Sequence, residues 1–120
     1  MPSYAPPIRD MAFVIEELCG LAEISALPGC EEASVDLVTA VLAEAGRFGS
    51  EVLAPLNPVG DREGCILENG RVTLPPGFAP AYRQFVDGGW NAVPFDPEHG
   101  GQGLPWLVAA SVQEIWHSAN

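Results

Sequence analysis

Between Val38 and Leu56 the apolar residues Val38, Val41, Leu42, Ala45, Phe48, Val52, Leu53 and Leu56 recur every three or four positions, with Asp36, Glu44, Arg47 and Glu51 between them. That spacing puts the apolar set on one face of an α-helix, and a stripe so wide has to be buried against another helix. Ser34 is the expected N-cap, preceded by Glu31 and Glu32, acids suited to the positive end of the helix dipole. Arg47 stands one turn from both Glu44 and Glu51. Gly46 and Gly49 fall inside the stretch, and each costs roughly 1 kcal/mol relative to Ala in a helix interior, so close helix packing or a local bend is expected there. Pro55 and Pro58 are expected to end the helix.

The same periodicity recurs on either side. Met11, Val14, Ile15, Leu18 and Leu21 or Ala22 predict a first helix with Asp10 as N-cap, stopped by Ala26-Leu-Pro-Gly-Cys30. Phe78, Ala81, Tyr82, Phe85 and Val86 predict a third, ended by Gly88-Gly89, and Trp90 to Gly103 reads as loop. Pro105 opens a last helix through Leu107, Val108, Ser111, Val112, Ile115 and Trp116 that meets the chain end with no stop signal. Three prolines among the first seven residues predict an extended arm over 1–9. Cys65-Ile-Leu67 and Arg71-Val-Thr73 flank Asn69-Gly70, which predicts a hairpin over 65–73. The expectation is a mainly α fold with one small β-hairpin, a single domain of 120 residues cut within its last element.

Sixteen acids against five arginines leave a net charge of -11, with no basic stripe to follow a phosphate backbone, so neither nucleic acid nor an anionic membrane is an expected partner. No stretch approaches the roughly 20 uninterrupted apolar residues of a membrane span, and Met1 to Pro7 lacks the basic and apolar regions of a signal peptide. Cys19, Cys30 and Cys65 are odd in number and widely spaced, which supports neither a disulfide framework nor a zinc site. They read as buried or half-buried small hydrophobes in a reducing, cytoplasmic setting.

Little in the chain carries chemistry by itself. Gly100-Gly-Gln-Gly103 lacks both the Lys-Ser/Thr of a phosphate loop and the preceding strand of a dinucleotide fingerprint, so its glycines are read as geometry. His99 lies beside Glu98 and Asp96, raw material for a general base, but no Ser or Cys nucleophile motif accompanies it. His117 has no sequence neighbour to work with and suits a helix C-terminus. Trp90, Phe95, Trp106 and Trp116 are read as core ahead of an acyl pocket.

The order of these features resembles a known family. A helix that runs through Tyr82-Arg-Gln-Phe-Val-Asp-Gly-Gly-Trp90, then Pro94-Phe-Asp-Pro-Glu-His-Gly-Gly-Gln-Gly-Leu-Pro105, then a helix holding Val112-Gln-Glu-Ile115, is similar to the amino-terminal domain of acyl-CoA dehydrogenases. Met1 to Phe13 and Glu51-Val-Leu-Ala-Pro-Leu-Asn57 resemble the longer branch of that family, which takes bulky or unusual acyl thioesters and includes methylmercaptopropionyl-CoA dehydrogenases.

The resemblance implies a homo-oligomeric enzyme using FAD to turn an acyl-CoA into a 2-enoyl-CoA, with flavin contacts and catalytic glutamate in a central β domain and a carboxy-terminal helical domain. Neither is in these 120 residues. No catalytic, cofactor-binding or metal residue is therefore carried over, no bound FAD is expected, and only Gly100, Gly101, Gly103 and Leu104 are expected to border the substrate channel. The piece alone is expected to be inactive and to self-associate. The rival expectations are a stand-alone helical interaction module and a small hydrolase using His99 with Glu98 or Asp96.

Overall fold

A computed structural model describes residues 3–120. The chain is mostly helical with one two-stranded antiparallel hairpin, as the periodicities predict, but the helices are more broken than the stripes suggest. Helix α1 spans Ile8–Phe13 and begins inside the arm expected over 1–9, with Pro7 at the N-cap; Asp10 lies in the first turn and caps nothing. Proline has no N–H to leave unpaired, so it can stand at a helix entrance, where the Pro7 carbonyl accepts from the Met11 amide at 3.0 Å. Met1 and Pro2 of the arm lie outside the described residues.

Helix α1 runs into a π turn, Val14–Leu18, closed by the Cys19 amide on the Val14 carbonyl at 2.8 Å. The extra residue in that turn swings Leu18 off the apolar stripe and leaves Val14 at its edge, so both are exposed while Met11 and Ile15 are buried. Gly20, at φ 70°, then redirects the chain into the short α2, Leu21–Ser25. The Ser25 Oγ lies 2.7 Å from both the Leu21 and the Ala33 carbonyl oxygens, and its single proton, given to one or shared between them, ties the following turn down.

Helix α3, Val35–Phe48, starts as expected: the Ser34 hydroxyl accepts from the Leu37 amide at 3.2 Å. Gly46, inside α3, and Gly49, just after its last residue, are packing sites. A Cβ on Gly46 would stand 3.0 Å from Ile8 and 3.1 Å from Pro6, and one on Gly49 would stand 2.8 Å from Ile115. The expected stop at Pro55 and Pro58 does not occur. A π turn, Gly49–Leu53, and a 3₁₀ turn, Ala54–Leu56, carry the helical path into α4, Asn57–Glu63. Pro58 falls in the first turn of α4, where its missing N–H costs no intrahelical bond, and Gly64 at φ 61° ends the path.

Strands β1, Ile66–Glu68, and β2, Arg71–Thr73, pair with Leu67 opposite Val72. Asn69 and Gly70 have φ of 51° and 75°, the two positive values that the predicted type I′ turn requires. Helix α5 spans Phe78–Asp87 and α6 spans Trp106–Ala119. Pro105 precedes α6 at the N-cap, one residue ahead of its expected place.

The core lies where α1, α3 and α6 meet, with Ile15, Val38, Leu42, Val108, Val112 and Ile115 almost completely buried. Tyr4 closes one end, its hydroxyl donating to the Ile115 carbonyl at 3.2 Å. Cys30 is half-buried as expected, whereas Cys19 and Cys65 are exposed.

Candidate functional site

The stretch Phe95 to Leu104, which carries most of the sequence signal, folds on itself. Pro97–His99 makes a 3₁₀ turn capped by the Asp96 carboxylate, which accepts from the Glu98 amide at 2.8 Å. The backbone then doubles back: the amides of Gln102, Gly103 and Leu104 donate to the carbonyls of Ala92, Phe95 and Val93 at 2.9, 2.9 and 3.0 Å. The Gln102 side chain adds a bond to the Gly89 carbonyl at 2.9 Å.

This return explains the glycines. A Cβ on Gly101 would coincide with the Phe95 backbone, so no other residue fits there. Gly100 and Gly103 hold φ of 85° and 67°, and Leu104 is buried in the core. Of the four residues expected to border a channel, Leu104 anchors the loop and the glycines shape it. Phe95 in the loop and Trp106 just after it are large apolar side chains left 52% and 64% exposed, with rings 6.0 Å apart at 84°.

The hydrolase reading finds no machinery. Asp96 is committed to its capping bond, and Glu98 and His99 are exposed. Among the described residues no group of three His, Cys, Asp or Glu side chains stands close enough to hold a metal ion, and no charged or polar side chain is buried.

The aromatic set divides in two. Trp116 joins Trp90, Phe48 and Phe85 at ring separations of 5.2, 5.5 and 5.8 Å, all near perpendicular. Phe95 and Trp106 pair apart from it. Between α5, α6 and the Leu53–Leu56 turn this cluster floors an apolar groove of about 420 Å³ lined by Leu53, Leu56, Phe78, Tyr82 and Trp116, with His117 and Asn120 at its rim. A second cavity of about 130 Å³ lies between Trp90, Phe95, Trp106 and Trp116. The groove was not legible as such in the sequence, although the breadth of the Phe78 to Val86 stripe, with Tyr82 left 67% exposed, signals a helix with more apolar surface than its neighbours cover.

No family model matches the chain. Individual proteins do. Over 118 residues, 98% of the chain, it is 48% identical to a 3-methylmercaptopropionyl-CoA dehydrogenase of Ruegeria pomeroyi, of which it covers 20%. Over 122 aligned positions, 100% of the chain, it is 26% identical to a broad-specificity linear acyl-CoA dehydrogenase of Mycobacterium tuberculosis, again covering 20%. Its relatives are acyl-CoA dehydrogenases. The chain spans about a fifth of the length of the curated relatives it matches. Among the described residues neither the loop nor the apolar groove holds a buried polar or charged side chain.

Proposed function

We propose that residues 1–120 form the amino-terminal helical domain of an FAD-dependent acyl-CoA dehydrogenase that converts an acyl-CoA thioester to its 2-enoyl-CoA. The observation that carries this reading is the 48% identity to the R. pomeroyi dehydrogenase across 98% of the chain. Flavin binding does not fit the residues present: among those described no polar or charged side chain is buried, and the amides of the Gly-rich loop bond to their own backbone. In this reading FAD and the catalytic base belong to polypeptide outside these residues. A homo-oligomeric assembly is part of the same reading. So is a cytoplasmic setting, which the free thiols of Cys19, Cys30 and Cys65 support.

Gly100, Gly101, Gly103 and Leu104 border the acyl-CoA channel in this proposal. Support comes from the stiffness of their loop and the exposed Phe95 and Trp106 rings beside it. The 120 residues alone are catalytically silent. A chimera in which this chain replaces the matched fifth of the R. pomeroyi enzyme oxidises 3-methylmercaptopropionyl-CoA with an artificial electron acceptor. Acyl-CoA oxidation by the 120-residue chain with added FAD, or a folded but inactive chimera, would overturn the reading.

A further inference from the structure

An asparagine side chain is chemically labile when the next backbone nitrogen can reach its Cγ. The chain has four asparagines, and three are restrained from that reaction. Asn57 is followed by Pro58, whose nitrogen has no hydrogen to give up. Asn91 is followed by Ala92, whose amide donates to the Gly89 carbonyl at 3.0 Å within a 3₁₀ turn. The Asn120 side chain donates to the Leu53 carbonyl at 3.1 Å. Asn69 has none of these restraints. Strands β1 and β2 end on the pair Glu68 and Arg71, so Asn69 and Gly70 are the two central residues of the turn and their amides lie outside the ladder. Both residues are exposed, and a Cβ on Gly70 would meet nothing within 4 Å.

We propose that Asn69-Gly70 is a site of spontaneous covalent modification, deamidation through a cyclic imide, gated by opening of the hairpin. The Gly70 nitrogen attacks Asn69 Cγ. An N–C bond forms, the Cγ–Nδ2 bond breaks, and ammonia leaves with the proton of the Gly70 amide. Water then opens the five-membered imide and returns a proton to the Gly70 nitrogen. Breaking the new bond to Cγ leaves aspartate at position 69. Breaking the bond to the Asn69 carbonyl carbon leaves isoaspartate, in which the main chain runs through the side chain. Water is the only co-reactant in either branch.

The turn itself is the gate. Asn69, at φ 51°, holds the first central position of a type I′ turn, where ψ is about +30°. At that ψ the Asn69 Cβ lies nearly opposite the Gly70 nitrogen across the Cα–C bond, so Cγ cannot reach it. Ring closure needs rotation about that bond, and the rotation undoes the turn. A two-stranded hairpin is marginal in water, so local opening is enough and the helical core stays folded. The two products differ in structure. Aspartate keeps an Asp-Gly pair, which also favours the I′ turn, and adds one negative charge to the -11 of the chain. Isoaspartate puts an extra methylene into the main chain between Glu68 and Arg71, and the register that sets Leu67 opposite Val72 is lost.

The 120-residue chain is incubated at mildly alkaline pH, native or in urea, and digested with trypsin. Peptide 63–71 holds Asn69 and no other asparagine. Mass spectrometry follows its gain of one mass unit, and labelling by an isoaspartyl methyltransferase separates the two products. In the native chain Asn69 should convert at least tenfold faster than Asn57 or Asn91, with isoaspartate the larger product, and urea should speed it at least threefold. Gly70→Ala, compared in urea where the turn no longer matters, should slow the reaction at least fivefold, because a Cβ crowds the attacking nitrogen. Asn69→Asp should keep the cross-strand contact of Leu67 with Val72 in NMR spectra, and the purified isoaspartyl chain should lose it. Equal native rates at Asn69 and Asn91, or an Asn69 that reacts only in urea, would overturn the proposal. So would a native rate no slower than the rate in urea, a Gly70→Ala chain that reacts as fast, or an isoaspartyl chain that keeps the contact.

Discussion

The two ends of this molecule treat apolar residues in opposite ways. Where α1, α3 and α6 meet, Leu42, Val108 and Ile115 are fully buried, and the packing is so close that a methyl group on Gly46 or Gly49 would stand 3.0 Å from Ile8 or 2.8 Å from Ile115. At the hairpin and α5, residues just as apolar stand in water. The difference lies in neighbours. The slab measures 53 × 37 × 17 Å, and at that thickness an element away from the centre has protein on one side only. The core end is packed from several sides, and the hairpin end leaves its apolar side chains in water.

If that division holds, damage to the core costs far more than damage to the hairpin. Leu42→Ala should destabilise the chain by about 2–5 kcal/mol in urea unfolding, since Leu42 is fully buried among three helices. Leu67→Ala at the exposed hairpin should change it by no more than about 0.5 kcal/mol. Similar costs for the two would break the comparison.

Gly49→Ala sharpens it. Helix propensity alone would favour Ala by about 1 kcal/mol, but the new methyl would stand 2.8 Å from Ile115, a β-branched side chain with little freedom to move aside. Overpacking of this kind costs about 1–3 kcal/mol, so a lowered melting temperature is expected. A raised one would mean that the Gly49–Leu53 turn and α6 are not in close contact there.

Tyr4→Phe tests the edge of the core, with an expected loss of about 0.5–1.5 kcal/mol from the bond to the Ile115 carbonyl. Burial raises the Tyr4 pKa, the Glu114 charge adds to the rise, and a hydrogen bond with Ser118 opposes it. A raised folded-state pKa means that this stabilisation is complete below the unfolded value of about 10 and is lost as pH rises through the folded one. The wild-type chain should therefore lose its advantage over Tyr4→Phe in alkaline solution, seen as converging unfolding midpoints.

Much of this was legible in the sequence because it depends on local rules. The Ser34 cap, the Asn69-Gly70 turn and the extent of α5 follow from residue type and spacing, and all three are present. The helix breaks were not legible, because two competing effects decide them. Pro55 and Pro58 should stop a helix, but the π turn at Gly49–Leu53 and the 3₁₀ turn after it shift which amides need partners, and helix continues to Glu63. The π turn at Val14–Leu18 likewise takes Leu18 off a stripe that looked continuous.

The Gly-rich loop was legible as geometry, and Gly101 against Phe95 shows why. The groove beside Trp116 was not, since it is made by α5, α6 and the Leu53–Leu56 turn, which are far apart in sequence.

Native-state hydrogen exchange on the 120-residue chain measures both ends in one experiment. Amides of α3 and α6 should open only with global unfolding, whereas those of the hairpin should open with a free energy several kcal/mol lower, in a separate local unit. Hairpin amides protected as strongly as those around Leu42 and Ile115 would contradict the division between a packed core and an exposed hairpin end.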